Sequence, residues 1–552
     1  MNSIKEKSVY VLIYLPIIIY IYFLYFYSLN KPIGDDFDSV LMFLNNYVDM
    51  NSIKDKFLYL FYPHNEYKLV FSNIIQIIIL KLTGSINFVY MIFIGFFGES
   101  ILLYFIFKYF KEFNLSLIYF IPIPFLLFNL VQYNLSLWPM ASMQSYYQFL
   151  FAFLSLYYLH KNKIVFFYLF VVMSMFQGGM WVSLSVVIIG KFLIDKSYRR
   201  LLFLLLLIFF IFIFMEYTGM NKPGHDIIQN ALQLVKVFKF SIGLIGSIFN
   251  VYSYAALFAT VIIISLVYII KAWKFEVLKN SLAFNMISIF LVAIPAVAIN
   301  RVHTGVEASL SSRYSLISIF LIIFIYLFLL KNINKKYLKR IFYFICFLSI
   351  SLYVYNFKYV EKIKQRYAYV HSNTYPAFNK TLGSKILKNS FKKNIFKLKE
   401  KKLGIFRCID SRLVNLDEYK IIDSQHIIHS SYKKDAIYKK VYNFKNILLF
   451  GSYIKGDSTL AKIEFRIHKN QSFLILTGPR TNHQKIQVYN SKNQILDSQN
   501  LIVSKNSLMI YSFNLKKLNN NDLKVVISDN GSNWGEWSSV GFIKDFNDEK
   551  NK

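Results

Sequence analysis

Three carboxylates fall within four positions, Asp35, Asp36 and Asp38, in the stretch "PIGDDFDSV". The adjacent pair has two readings. An N-cap and a first-turn acid would start a helix over about 36–50, because negative charge is favoured at a helix N-terminus. One cap needs one Asp, so the pair also fits a general base, or two carboxylates able to hold a divalent cation. A second group, His64, Glu66 and Lys68 in "HNEYKLVFSN", brings imidazole, carboxylate and ammonium together. It reads either as a solvated helix start or as the other half of a site facing Asp35 and Asp36. A third stretch, "NRVHTGVEASLSSR" at 300–313, holds Arg301, His303, Glu307 and Arg313. Arginines at the end of an apolar run either snorkel to headgroups or grip a phosphate, and on the plainer reading His303 and Glu307, four apart, pair with them. The segment "QYNLSLWPMASMQ" adds Asn134, Trp138 and Gln144. Trp138 is an interfacial anchor on one reading, and with Asn134 and Gln144 it lines a sugar pocket on the other.

The elements that must position these residues are apolar. The 552-residue chain is 55% hydrophobic, has a mean hydropathy of +0.40, and arranges its residues in long apolar blocks with charged punctuation. That is the composition of a polytopic membrane protein. The net charge of +33 would ordinarily invite nucleic acid; here it reads as topogenic, and no nucleic-acid partner is expected. The two cysteines, Cys346 and Cys408, form no metal or redox motif. Val9–Leu29 is too long for a signal-peptide core and lacks a small-residue cleavage site, so it reads as an uncleaved anchor.

Crossing a hydrocarbon layer about 30 Å thick takes roughly 20 helical residues. Eleven spans are expected, at 9–29, 86–107, 115–131, 146–160, 164–177, 180–194, 201–217, 251–270, 281–299, 314–330 and 341–356. Residues 67–83 carry Lys68, Ser72 and Gln76 every four positions, with Asn73 beside them. Such a polar stripe predicts an interfacial helix rather than a span. Leaving it out of the count puts the Lys/Arg clusters at 5–7, 108–111, 161–163, 191–200, 271–279 and 331–340 on one side. The connections 132–145 and 178–179, free of Lys and Arg, then fall on the other. This gives a cytoplasmic N-terminus and an outer acid cluster, with 232–249 as a second interfacial or re-entrant piece.

Beyond about residue 357 the composition changes. Residues 357–439 form a Lys-rich, helical or mixed linker. Residues 440–552 alternate apolar and polar at period two, as in "AKIEFRIHKN" and "LKVVIS", which predicts an extracytoplasmic β-sandwich. Its "SDNGSNWGEWSS" holds Asp529, Trp534 and Trp537, which either pack the sandwich or stack on a sugar.

This layout resembles the GT-C glycosyltransferases, membrane enzymes that use polyprenyl-phosphate-linked sugars. It is most similar to bacterial multispanning proteins of that type, with a DD pair and an Asn-Glu-His-Arg stretch in the first outer loop. In those proteins a Glu-Asn…Trp…Gln segment and an Arg-Tyr pair at the start of a late span follow. Here Asp35-Asp36, His64-Asn65-Glu66, Asn134, Trp138, Gln144 and Arg313-Tyr314 carry the likeness. Tyr67 stands where the family has His, Lys68 where it has Arg, and Tyr133 where it has Glu. The resemblance covers residues 1–356, and the C-terminal strand pattern is weakly similar to jelly-roll carbohydrate-binding modules.

The resemblance implies a bacterial cytoplasmic-membrane enzyme. It would move a sugar from a polyprenyl-phosphate donor to an outer-face envelope glycan or lipid, with inversion. Asp35 or Asp36 would be the base. Lys68, Arg301 and Arg313 would meet the donor phosphate, with His64, Glu66, Asn134, Trp138, Gln144, His303 and Tyr314 around the substrates. A divalent cation, Mg or Mn, held by Asp35, Asp36 and Glu66 is a further candidate. Two rivals stay open: a transporter or flippase of lipid-linked sugars, for which Glu99 and Glu216 speak, and a non-catalytic membrane-anchored glycan-binding assembly protein.

Overall fold

The computed structural model describes residues 2–65, 67–219, 227–372, 427–434, 447–452, 461–468, 473–477, 483–500, 508–511, 522–530 and 538–543. The chain divides into two compact units, 1–363 and 364–552. The first is helical. Among the described residues, eight helices are long and apolar enough to cross a membrane: Ser8–Tyr27, Phe88–Lys111, Leu117–Ser136, Tyr198–Tyr217, Tyr252–Ala272, Leu282–Thr304, Ser312–Asn332 and Lys335–Tyr367. The protein is therefore a multi-pass membrane protein by helix length and composition. Tyr198–Tyr217 leaves Leu202, Phe203, Phe209 and Phe210 exposed, as a lipid-facing helix must. Ser312–Asn332 runs through the bundle's middle, with 83% of its apolar 18-residue stretch buried.

Three of the eleven expected spans fall outside this set of eight, although each folds as a helix. Pro139–His160 is long enough, but its Gln, Ser and Tyr side chains lower its apolarity. Ile164–Met175 and Met180–Ile194 have 12 and 15 residues. At 1.5 Å per residue they reach only about 18 and 22 Å.

Contacts sort the connections of this unit into two ends. At one end Glu112 pairs with His160 and Lys161, Lys191 donates to the carbonyl of Lys279, and Trp273 donates to that of Asn332. This is the Lys-rich end. At the other, Asp36 meets Met140, Val70 meets Phe176, Lys68 meets Thr218, Ser312 meets Asn134, and Tyr133 packs on Tyr359. The helix Val70–Thr83 begins and ends at this second end. Its first amide bonds to Phe176, and the helix that follows it starts at Phe88, whose N–H is received by Asn30 just past the first span. Residues 232–249, helical over Leu234–Ile245, also reach this end, with Ser247 donating to the Tyr314 carbonyl.

The polar stripe of Val70–Thr83 does not face water. Ser72, Asn73 and Gln76 are buried. Gln177 donates to Ser72 Oγ at 2.7 Å and to the Met143 carbonyl, while its own oxygen accepts from the Ser72 amide. Asn73 donates to the Leu60 carbonyl. The stripe is the helix's inner face, where Ser72 and Asn73 are bonded while the Gln76 amide, also buried, finds no partner among the described residues; the apolar Ile74, Ile78 and Leu82 are exposed instead.

The second unit contains two five-stranded antiparallel sheets. Their orders are Ile427–Ser430, Ala461–His468, Asp522–Asp529, Gln484–Tyr489, Ile495–Asn500, and Leu508–Tyr511, Phe473–Thr477, Ser538–Ile543, Ile447–Gly451, Lys433–Lys434. The period-two pattern is realised directly: Ala461, Ile463, Phe465 and Ile467 are buried in one cluster with Ile475, Val525, Ile527 and Val540.

Candidate functional site

The acid cluster follows the first span through a tight turn. Gly34 takes φ +55°, and a Cβ there would lie 2.9 Å from Trp138 Cζ2, so both backbone and space call for glycine. The Trp138 indole thus covers the turn, and its buried N–H finds no partner among the described residues.

The turn aims the two aspartates in different directions. Asp36 is fully buried. Its Oδ2 accepts from the Ile33 amide at 2.8 Å and its Oδ1 from the Met140 amide at 2.9 Å. Met140 is the second residue of Pro139–His160, where N–H groups lack helical partners. Asp36 is therefore a helix cap, though not of its own helix: it makes no cap bond to the π-helical turn Phe37–Met42 that follows it. It clasps the first loop onto a helix more than 100 residues away, with its charge at the positive end of that helix. Asn30 does the same for Phe88–Lys111 through the Phe88 amide. Nothing local marks Asn30 in the sequence, and it was missed there.

Asp35 points outward. Its side chain is 49% exposed, and its Oδ2 lies 4.0 Å from His64 Nε2. Its backbone carbonyl receives the Ser39 hydroxyl and amide, which fixes the peptide while the carboxylate stays accessible. Burial and the neighbouring Asp35 push the Asp38 carboxyl above its ordinary range.

His64 is delivered by a short hairpin, Pro63–His64 paired with Tyr67–Lys68, in which Asn65 takes φ +51°. Tyr67 lies across from His64, and its ring occupies the space a Cβ on Gly179 would need. Lys68 pairs with Pro63, on the opposite face from His64. Its side chain is buried and donates to the carbonyls of Thr218 and Gly219, the open C-terminal end of Tyr198–Tyr217. A cation there complements the negative helix terminus. Burial lowers the Lys68 ammonium to about 8, against the opposing pull of Glu216. Lys31 is likewise lowered to about 8 by burial.

The remaining expected residues lie on the same end of the bundle. The Asn134 amide donates to Ser312 Oγ, joining Tyr133–Ser136 to the turn of Arg313 and Tyr314. Arg313 is exposed, with its guanidinium 5.0 Å from the Tyr314 ring centre. Arg301 is half-buried and His303 exposed, with its Nδ1 3.5 Å from Asn230. Gln144 is half-buried near the start of Pro139–His160. Asp529 is buried in the second unit and receives the Ser452 hydroxyl, so its carboxylate is already engaged. Glu66, Trp534 and Trp537 lie outside the described residues.

Among the described residues no three His, Cys, Asp or Glu side chains converge into a metal-holding group. Asp36 gives both oxygens to backbone amides and Asp35 faces an imidazole, and Glu66, the third member of the expected cation site, lies outside the described residues. What the arrangement offers is one accessible carboxylate with an imidazole beside it, on a loop clamped to two helix N-termini.

No protein-family model matches this chain, and no curated protein does.

Proposed function

We propose that the chain is a membrane glycosyltransferase with Asp35 as its general base. It transfers a sugar from a polyprenyl-phosphate carrier to an envelope glycan or lipid at the outer face of a bacterial cytoplasmic membrane. The observation that carries the assignment is the division of labour in the aspartate pair: Asp36 is consumed by two backbone amides, and Asp35 stands half-exposed 4.0 Å from His64. The class of reaction is drawn from the resemblance of the span layout and loop motifs to GT-C enzymes.

In the reaction, the acceptor hydroxyl oxygen attacks the anomeric carbon as its proton passes to Asp35, and the bond from that carbon to the phosphate oxygen breaks. The carrier phosphate leaves with the electron pair. Attack opposite the leaving group inverts the centre. Asp35 must be ionised before the step and accessible during it; His64, whose Nε2 lies 4.0 Å from Asp35 and 3.3 Å from Asn65 Nδ2, would take the proton on through a bridging water. The departing phosphate needs positive charge. Lys68 is committed to the Thr218 and Gly219 carbonyls, so that role falls to Arg301 and Arg313. Asp36 is a positioning residue.

The topology goes with this reading. Pro139–His160, Ile164–Met175 and Met180–Ile194 connect the same two ends as the eight longer helices, which supports eleven passes, the short ones crossing where neighbours and local thinning shorten the path. The Lys-rich end is then cytoplasmic, and the Asp35 end and the C-terminal unit are outside. The two sheets around one apolar cluster are read as a β-sandwich. Of the two carboxylates that speak for transport, Glu216 lies at the end of Tyr198–Tyr217 near Lys68, and Glu99 lies inside the bundle. It is fully buried, with one oxygen bonded to Gln132, which in turn takes the Tyr146 hydroxyl. The Glu99 bond ties Phe88–Lys111 to the turn at Gln132, while the second Glu99 oxygen is buried without a partner among the described residues. Deleting the gene and analysing envelope glycans and lipid-linked sugars tests the proposal. Loss of one sugar from the glycan, with its carrier-linked form accumulating on the outer face, is expected. Accumulation on the inner face would assign transport instead.

A further inference from the structure

The Lys-rich end holds a cavity of about 160 Å³ that the proposed reaction does not use. It is lined by Phe105, Lys108, Tyr157, Tyr158, Lys161 and Lys163, where Phe88–Lys111 meets the end of Pro139–His160. The chain builds it deliberately at the turn 160–163. Asn162 takes φ +56°, and the Lys163 amide returns to the Tyr158 carbonyl while that of Lys161 bonds to Tyr157. This left-handed helix stop places Lys161 and Lys163 two residues apart at one mouth. The walls are aromatic: Phe105 packs edge-on against Tyr157, and Tyr158 stacks on Phe166 and Phe170. Lys108 lies over the Tyr104 and Phe105 rings.

The charge does not balance. Glu112 takes Lys161 at 2.8 Å and His160 at 3.3 Å. Lys108 and Lys163 form no ion pair among the described residues, and neither is drawn into the protein. Three ammonium groups and two phenols around one small cavity, with a single carboxylate already taken, are the chemistry of a site for a phosphate anion. The cavity lies at the Lys-rich end of Phe88–Lys111 and Pro139–His160, flanked by the exposed apolar Tyr104, Val165 and Phe166. We propose that it binds the phosphate of an anionic lipid headgroup, with Lys163 and Lys108, the latter held by Tyr104, as cations that no carboxylate takes among the described residues, and Tyr157 and Tyr158 as flanking donors. The site stands apart from the Asp35 end and does not depend on the glycosyl-transfer reading.

The test uses the purified full-length protein in a neutral detergent. Native mass spectrometry measures retention of phosphatidylglycerol against phosphatidylcholine, and thermal unfolding is followed with each lipid and with inorganic phosphate. The variant pair is Lys108→Gln with Lys163→Gln, and the control is Lys271→Gln with Lys274→Gln on the same end outside the cavity. Phosphatidylglycerol should be retained selectively, and the cavity pair should weaken it about thirty-fold, at one ordinary basic contact per lysine. The control should leave it nearly unchanged. Stabilisation by inorganic phosphate alone, lost in the cavity pair, would assign the site to a free phosphate and overturn the lipid assignment. Equal retention of both lipids, or equal losses in cavity and control variants, would overturn the proposal.

Discussion

Replacing Asp36 by Asn should unfold the first loop, whereas the same change at Asp35 should not. Asp36 is fully buried, and each carboxylate oxygen accepts one backbone amide, from Ile33 at 2.8 Å and Met140 at 2.9 Å. Hydrogen bonds to a charged group contribute about 1.5–3 kcal/mol each. Asn keeps one acceptor oxygen and turns its amide nitrogen toward the other N–H, donor against donor. The loss is therefore one such bond together with a buried unsatisfied amide, about 2–4 kcal/mol. Ala would lose both bonds and cost more. Asp35 is half-exposed, and its contact with His64 is 4.0 Å, so Asp35→Asn should change stability by less than about 1 kcal/mol. The assay is thermal unfolding of purified full-length protein in detergent, read by the fraction remaining monodisperse after heating. An Asp36→Asn variant that melts with the wild type would refute the clasp and return both aspartates to equal standing.

Three further outcomes follow from the same geometry. Gln177→Leu removes the partner of Ser72 Oγ, the Ser72 amide and the Met143 carbonyl in a buried position, and should cost about 2 kcal/mol or more in the same unfolding assay; an unchanged melt would mean the inner polar stripe is unimportant. Lys68 has its folded-state value lowered to about 8 from an ordinary 10.5, so the cost of burying its charge is present below pH 8 and is relieved as pH rises toward 10.5. Wild-type stability should therefore gain on a non-titrating Lys68→Gln variant across that window, and a constant difference would contradict it. In cells lacking the native cysteines, Lys335→Cys should be shielded from an impermeant thiol reagent and Lys492→Cys should react; equal labelling in sealed cells would sink the eleven-pass topology.

Much of this fold is written in local pattern. Apolar run length marks the helices, and the alternation in "AKIEFRIHKN" marks Ala461–His468 with its buried face correctly chosen. The "DD" pair is visibly more than one helix start requires. Its division of roles is not visible, because the partner of Asp36 is the Met140 amide, 104 residues away. The same holds for Lys68, whose acceptors at Thr218 and Gly219 are 150 residues on. The stripe Ser72, Asn73 and Gln76 was legible as a stripe, but which way it faces depends on Gln177. Periodicity reports that one helical face differs from the other; only the distant partner decides whether the polar face is wet or bonded. A length criterion leaves out Ile164–Met175 and Met180–Ile194, which have 12 and 15 residues, although their composition is as apolar as that of the longer helices.

The central claim is that Asp35 is the base of a sugar transfer, and the most direct measurement is envelope glycan modification in a deletion strain carrying Asp35→Asn, with membrane abundance of the variant measured alongside. Asn keeps the size and hydrogen bonding of the side chain and removes its basicity. The account predicts a variant present at wild-type level whose transfer falls by roughly 10²–10⁴-fold. Normal glycan at normal abundance would contradict it.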